Sequence, residues 1–218
     1  YGVAHVELVY SVNGGVERTV TIYDGRALEE VTAGHTLYLE EMELQAGDLV
    51  SYYARARDNS SGTPHEITSD IYFLSIRPFG RDYRQADQAP PGAGGEQGSE
   101  NGDLAQTQRE IVAATFNVLR DQDTMSAADR EENLNTIALS QERLREQVET
   151  LAQRMRARGV TEETVFRTIA TILPRAGAEM EAATDALRAG RPDDALPSEQ
   201  RALQQLQRAE ALYRDVQV

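Results

Sequence analysis

Three carboxylates stand within four residues at Glu40, Glu41 and Glu43, the residue type from which glycoside hydrolysis draws its acid and base. The chain has no tryptophan to build an aromatic platform beside them. A solvated strand edge that repels wrong partners is the better reading of these acids. His5, His35 and His65 all fall in the first third of the chain. Ligating a metal would require them to converge with carboxylates, which their spacing does not demand, so they are expected on the surface or on a sheet face. Asp58-Asn59 and Asp70 offer oxygens for calcium, but such a site takes six or more, and no EF-type loop spacing is present. Turn formation explains them better. Arg154, Arg156 and Arg158 cluster near the end of a helical pattern, where cations suit the helix dipole. They are the candidate grip on a partner's carboxylates. No nucleophile, base and orienting group can be named together. The expectation is a protein that is not an enzyme, with no catalytic, metal-binding or cofactor-binding residue.

Composition narrows the classes further. The 218 residues include 36 acids against 22 bases, a net charge of −14, and every base is an arginine. Without lysine there is no Walker site and no Schiff-base chemistry. Without cysteine there is no disulfide framework, thiolate nucleophile or iron–sulfur cluster. The acidic balance argues against nucleic acid and against an anionic lipid face. No stretch approaches 18 apolar residues, so no membrane span is expected. Tyr1 opens directly inside a strand pattern, which suggests an upstream segment in a longer precursor.

The elements that must position these residues fall into two halves. Residues 1–84 read as β. Val3–Val12 and residues 16–23 alternate apolar and polar side chains around Asn13-Gly14-Gly15, a turn suited to positive φ. Residues 37–42, 49–57 and 67–76 supply three more strand candidates. Residues 44–52 (LQAGDLVSY) resemble the corner before the sixth strand of an immunoglobulin-like or fibronectin-like sandwich, with Gly47 making the turn and the Tyr52 hydroxyl bonding back to upstream backbone. Counted from that corner, five of seven strands are present and the first two are missing. They either precede Tyr1 or are replaced by a partner's strand. The expected fold is thus a partial β-sandwich, a linker, and an antiparallel helical bundle or long helical hairpin.

Residues 85–102 are rich in Gly, Pro, Gln and acids, with nothing apolar larger than alanine, and are expected to be a flexible linker. Residues 103–218 are helical. Asp103 and Gln106 form a cap-and-box pair for the first helix. Ser126 caps the second, whose seam runs Leu134, Ile137, Gln141, Leu144, Val148, Leu151, Met155 in alternating steps of three and four. At 1.5 Å per residue, this rod is about 50 Å long. Gly159 stops it, and Thr161 caps a third helix with the stripe Val165, Ile169, Ile172, Ala176, Met180, Ala183 and Leu187, interrupted by Pro174, which should kink it. Gly190 and Pro192 precede a last helix carrying Leu196, Leu203, Leu206, Tyr213 and Val216.

Three runs carry a family resemblance: residues 47–59 (GDLVSYYARARDN), residues 68–79 (TSDIYFLSIRPF) and residues 108–115 (QREIVAAT). Together they resemble an uncharacterised family of bacterial cell-envelope proteins, in which membrane segments precede an Ig-like module and a Gln/Arg/Glu-rich helical region. The resemblance implies a periplasmic, peripheral membrane setting and brings no activity. In overall layout alone, the chain is also similar to an accessory subunit of a bacterial photosynthetic reaction-centre–light-harvesting complex.

Three functions follow as expectations. The first is a non-catalytic scaffold subunit docking on protein subunits of a membrane complex. The second is an envelope module binding glycan or peptidoglycan, with Tyr52, Tyr53, Tyr72 and Phe73 as stacking surface. The third, a hydrolase using Glu40–Glu43, ranks last.

Overall fold

In the computed structural model, residues 2–60, 64–77, 95–157 and 164–216 are described. Five strands and four long helices follow one another: β1 (Val3–Val12), β2 (Arg18–Leu28), β3 (Leu49–Asp58), β4 (Glu66–Thr68), β5 (Tyr72–Ser75), then α1 (Gly95–Arg120), α2 (Ala127–Ala157), α3 (Thr164–Arg188) and α4 (Pro192–Val216).

The first hairpin forms where the glycines predicted it. Asn13 and Gly14 have φ of 53° and 65°, and Gly15 N–H donates to Val12 O at 2.9 Å, closing a tight turn. Asn13 then ties that turn to β3, because its backbone N–H donates to Leu49 O and its side-chain oxygen accepts from Leu49 N, both at 2.9 Å. The strands pair antiparallel in the order β2-β1-β3-β4, and β5 joins β3 beside β4.

The sandwich expectation is not met, because the described strands make one sheet. One face of it carries Val9, Leu49, Tyr53, Ile71 and Phe73, and these pack into a single core with residues of all four helices. A helical layer thus occupies the place expected for a second sheet. Two further differences lie in the connections. Residues 39–42, expected as a strand, form a short 3-10 turn, closed by Glu43 in the left-handed region at φ 52°. Residues 67–76, expected as one strand, split into β4 and β5 around Ser69. The Ser69 side chain accepts from Ala54 N at 3.0 Å and donates to Asp70 O, so it replaces a rung of the ladder.

The helices follow their sequence periods. Ser126 Oγ accepts from Asp129 N at 3.1 Å and donates to the Asp129 carboxylate at 2.7 Å, as a capping residue should. Leu134, Ile137, Gln141, Leu144 and Val148 are buried along the α2 seam, and Leu151 and Met155 pack against it. The α3 stripe from Ile169 to Leu187 is buried as expected, and Pro174 stands inside a helix that continues through it. Gly190, at φ 71°, ends α3 with paired bonds from Gly190 N to Leu187 O and Arg191 N to Ala186 O, and Pro192 opens α4. Gly159, Thr161 and residues 78–94 lie outside the described residues. The start of α1 differs from expectation: it begins at Gly95 and runs through Asp103, so residues 95–102 belong to a helix and the expected cap pair sits inside it. Each helix packs on the next and α4 returns to α1, giving a closed four-helix bundle.

Candidate functional site

Helix α4 seats the bundle on the sheet, and the seat is shaped by two glycines. A Cβ on Gly14 would lie 2.4 Å from Pro197 O, and one on Gly47 would lie 2.6 Å from Arg208 Cγ and 2.8 Å from Arg208 Cα. Gly47 also has φ of 87°, so the corner expected there is present. Tyr52, expected to latch that corner, does something else. It stacks on Tyr72 at 5.6 Å on the opposite face of the sheet, and no hydrogen bond of its hydroxyl occurs among the described residues. Asp48 is the latch: its carboxylate accepts from Gln45 N at 2.8 Å and from Gln204 Nε2 at 3.2 Å.

Between these two corners α4 presents Gln200 and Gln204 to the sheet. Gln200 Oε1 accepts from Ser11 Oγ at 3.0 Å and Ser51 Oγ at 3.2 Å, bridging β1 and β3 from the helix. This polar contact is buried, so each donor lost there would cost its desolvation. Beside it opens a cleft of about 450 Å³ between sheet and bundle, walled by Tyr53, Phe116 and Leu196, with Glu17, Arg55, Thr68, Arg120, Asp193 and Gln200 around it. Tyr53 and Phe116 pack with ring centroids 4.9 Å apart, a tilted aromatic pair joining β3 to α1. The Tyr53 hydroxyl donates to Glu17 at 3.2 Å and accepts from Arg55 Nη2 at 3.2 Å. Burial raises the Tyr53 pKa above its ordinary value, and the Glu17 charge adds to the rise. The raised value keeps Tyr53 a neutral phenol that donates to Glu17 and accepts from Arg55.

The two cationic groups of the cleft are already engaged. Arg55 Nε lies 3.4 Å from Glu7 and 3.7 Å from Glu66. Arg120 pairs with Asp70 and Asp121. The Asp70 pairing removes it from any calcium cluster with Asp58. Asp58 instead accepts from Ser60 N at 3.1 Å and from both the backbone and ring of His65, and these bonds hold its carboxyl well below the usual range. His5 sits between Glu7 and Asp24 on β1, Arg57 of β3 stands between it and Glu66, the neighbour of His65, and His35 is exposed. Among the described residues, no three His, Cys, Asp or Glu side chains are grouped to hold a metal.

The remaining sequence candidates are scattered. Glu40, Glu41 and Glu43 lie on and just after the 3-10 turn. Arg156 lines a shallow groove of about 300 Å³ with Glu149, Pro174, Gly177 and Glu181. Arg154 is exposed about 200° further back round α2, so the two do not form one grip, and Arg158 lies outside the described residues.

Inside the bundle the structure adds a polar centre that sequence reading missed. Gln108 and Gln141 exchange side-chain bonds of 3.0 and 2.9 Å, and Gln108 Nε2 also donates to Glu199 O at 3.2 Å. The Glu199 side chain is fully buried, accepts from Thr115 Oγ1 at 2.8 Å, and has no partner for Oε2 among the described residues. Burial pushes its carboxyl up to about 8. A signal existed: positions 196, 199, 203 and 206 keep the same alternating steps of three and four that placed Gln141 in the α2 seam.

A family model described as "Domain of unknown function (DUF4175)" matches residues 25–216. No curated protein and no solved structure matches the chain.

Proposed function

We propose that this chain, which belongs to the DUF4175 family, is a non-catalytic scaffold subunit that docks on a membrane-associated protein assembly by receiving a partner's strand on its sheet. The observation that carries this reading is the outer edge of β2. This strand is eleven residues long and terminates the sheet, and among the described residues no backbone group bonds to its far side. Residues 18–23 (RTVTIY) alternate along it, with Thr19 and Thr21 exposed. The chain has no lysine anywhere and no proline before residue 64, two of the devices that usually blunt such an edge. Unpaired N–H and C=O groups in a row of β-branched residues favour an added strand, because main-chain bonds supply affinity while alternate side chains supply selectivity.

No helix among the described residues is long and apolar enough to cross a membrane. In this reading the partner's subunits therefore provide the membrane attachment of the described part. The setting proposed with it is the periplasmic side, and a photosynthetic reaction-centre–light-harvesting complex is the first assembly to look for. The test is gentle purification from source membranes, native sizing, and mass spectrometry of what migrates with the chain. Comigration with a defined complex, lost on Thr21→Pro with an unchanged circular-dichroism spectrum, is the expected result. A lone 24.1 kDa species would end the proposal.

A further inference from the structure

We infer that the cleft between sheet and bundle binds a neutral, hydroxyl-rich ligand with the chemistry of a mono- or disaccharide. Its volume of about 450 Å³ falls within the range of small-molecule sites, about 300–1,000 Å³. Its charge state decides the ligand class. Both guanidinium groups are spent, Arg55 on Glu7, Glu66 and the Tyr53 hydroxyl, Arg120 on Asp70 and Asp121. Among the described residues that line the cleft, an anion finds no uncommitted cation. Glu17 and Asp193, in contrast, have no cation partner among the described residues and offer carboxylate oxygens as acceptors.

The donor side comes from Gln200. This residue is 5% exposed, and its side-chain oxygen is consumed by Ser11 and Ser51. Its amide nitrogen has no partner among the described residues, and the residue lines the cleft. That nitrogen keeps solvent contact at the cleft, where a ligand acceptor can take its N–H. A cationic ligand would satisfy Glu17 and Asp193 but leave Gln200 unpaired, and an anionic ligand would do the reverse. A sugar hydroxyl donates and accepts at once, so one chemical group serves both sides of the cleft. Phe116, Leu119 and Leu196 supply the apolar wall against which the C–H face of a sugar ring packs.

The cleft reaches Glu17, the residue before β2, but its test reads sugar binding and not comigration, so the two proposals fail separately. The experiment is saturation-transfer NMR on the full chain with cellobiose, maltose and chitobiose as neutral probes, and agmatine and glucuronate as charged ones, each at millimolar concentration. Transfer from at least one neutral disaccharide is expected. Glu17→Ala removes an acceptor on an exposed loop and should weaken that binding roughly tenfold, the worth of one hydrogen bond to a charged group. Thr68→Phe fills the cleft from its edge strand and should abolish binding. Both variants are compared at matched melting temperature. Transfer from no sugar, transfer from a charged probe alone, or sugar binding unchanged in Thr68→Phe would each overturn the inference.

Discussion

Thr115 and Glu199, 84 residues apart in the chain, meet at the centre of the bundle, where the threonine hydroxyl donates to Glu199 Oε1 at 2.8 Å and Oε2 has no partner among the described residues. The charged form of this carboxyl is disfavoured by burial, so the group is protonated at neutral pH.

The sign of the resulting pH dependence follows from its raised pKa. Between the ordinary value of 4.5 and about 8, the folded chain holds a proton that the unfolded chain releases. Stability from this group is complete below that window, falls as pH rises through it, and is lost above about 8. The slope is at most about 1.4 kcal/mol per pH unit. Urea melts of the native chain from pH 5.5 to 8.5 should show this decline, and Glu199→Gln should flatten it. Parallel curves for the two proteins would refute the assignment.

The Gln108–Gln141 pair predicts an asymmetry between single and double replacements. Gln108→Leu alone leaves the Gln141 amide buried without its partner and should destabilise by about 1–3 kcal/mol. Replacing both by leucine removes the orphan and should recover most of that loss. A double-mutant cycle in urea gives the coupling; additive effects would show that the pair does not act as a unit.

Gly47→Ala tests the seat of α4. The alanine must hold a φ near 87° and would place Cβ 2.8 Å from Arg208 Cα, a backbone atom that cannot swing aside. The backbone conformation alone costs on the order of 1–3 kcal/mol, before any displacement of the helix. The reverse control is Gly34→Ala, which meets nothing within 4 Å and should leave the melting point within the range of surface substitutions.

Ser126→Ala removes the cap of α2, exposing the Asp129 N–H that its hydroxyl satisfies at 3.1 Å. A loss of about 1 kcal/mol is expected. Ser126→Thr should restore most of it, because a threonine hydroxyl can both accept from Asp129 N–H and donate to its carboxylate, and failure of that rescue would point to a cause other than capping.

Much of the fold was legible where a short window contains its own physical reason. The Asn13-Gly14 turn needs positive φ, the α2 seam needs its steps of three and four, and Gly190 with Pro192 marks the break before the last helix; the structure has each of them. The 3-10 turn at 39–42 and the split at Ser69 were not legible, because strand propensity does not report which backbone bonds a neighbouring strand leaves free. Tyr52 shows a related limit. A tyrosine five residues past a glycine corner can bond back or stack forward, and here Tyr72, brought opposite by β5, takes it.

The sequence by itself determined most of the local elements, the acidic balance, and the division into a β part and a helical part. Only the tertiary structure decided what covers the sheet. Alternation with period two records that one face is buried, and a second sheet or a pair of helices satisfies the same alternation equally. The Gln200 bridge to Ser11 and Ser51, the cleft beside it and the protonated Glu199 all depend on which surfaces meet across long chain separations. Those contacts are settled by packing, which no local pattern encodes.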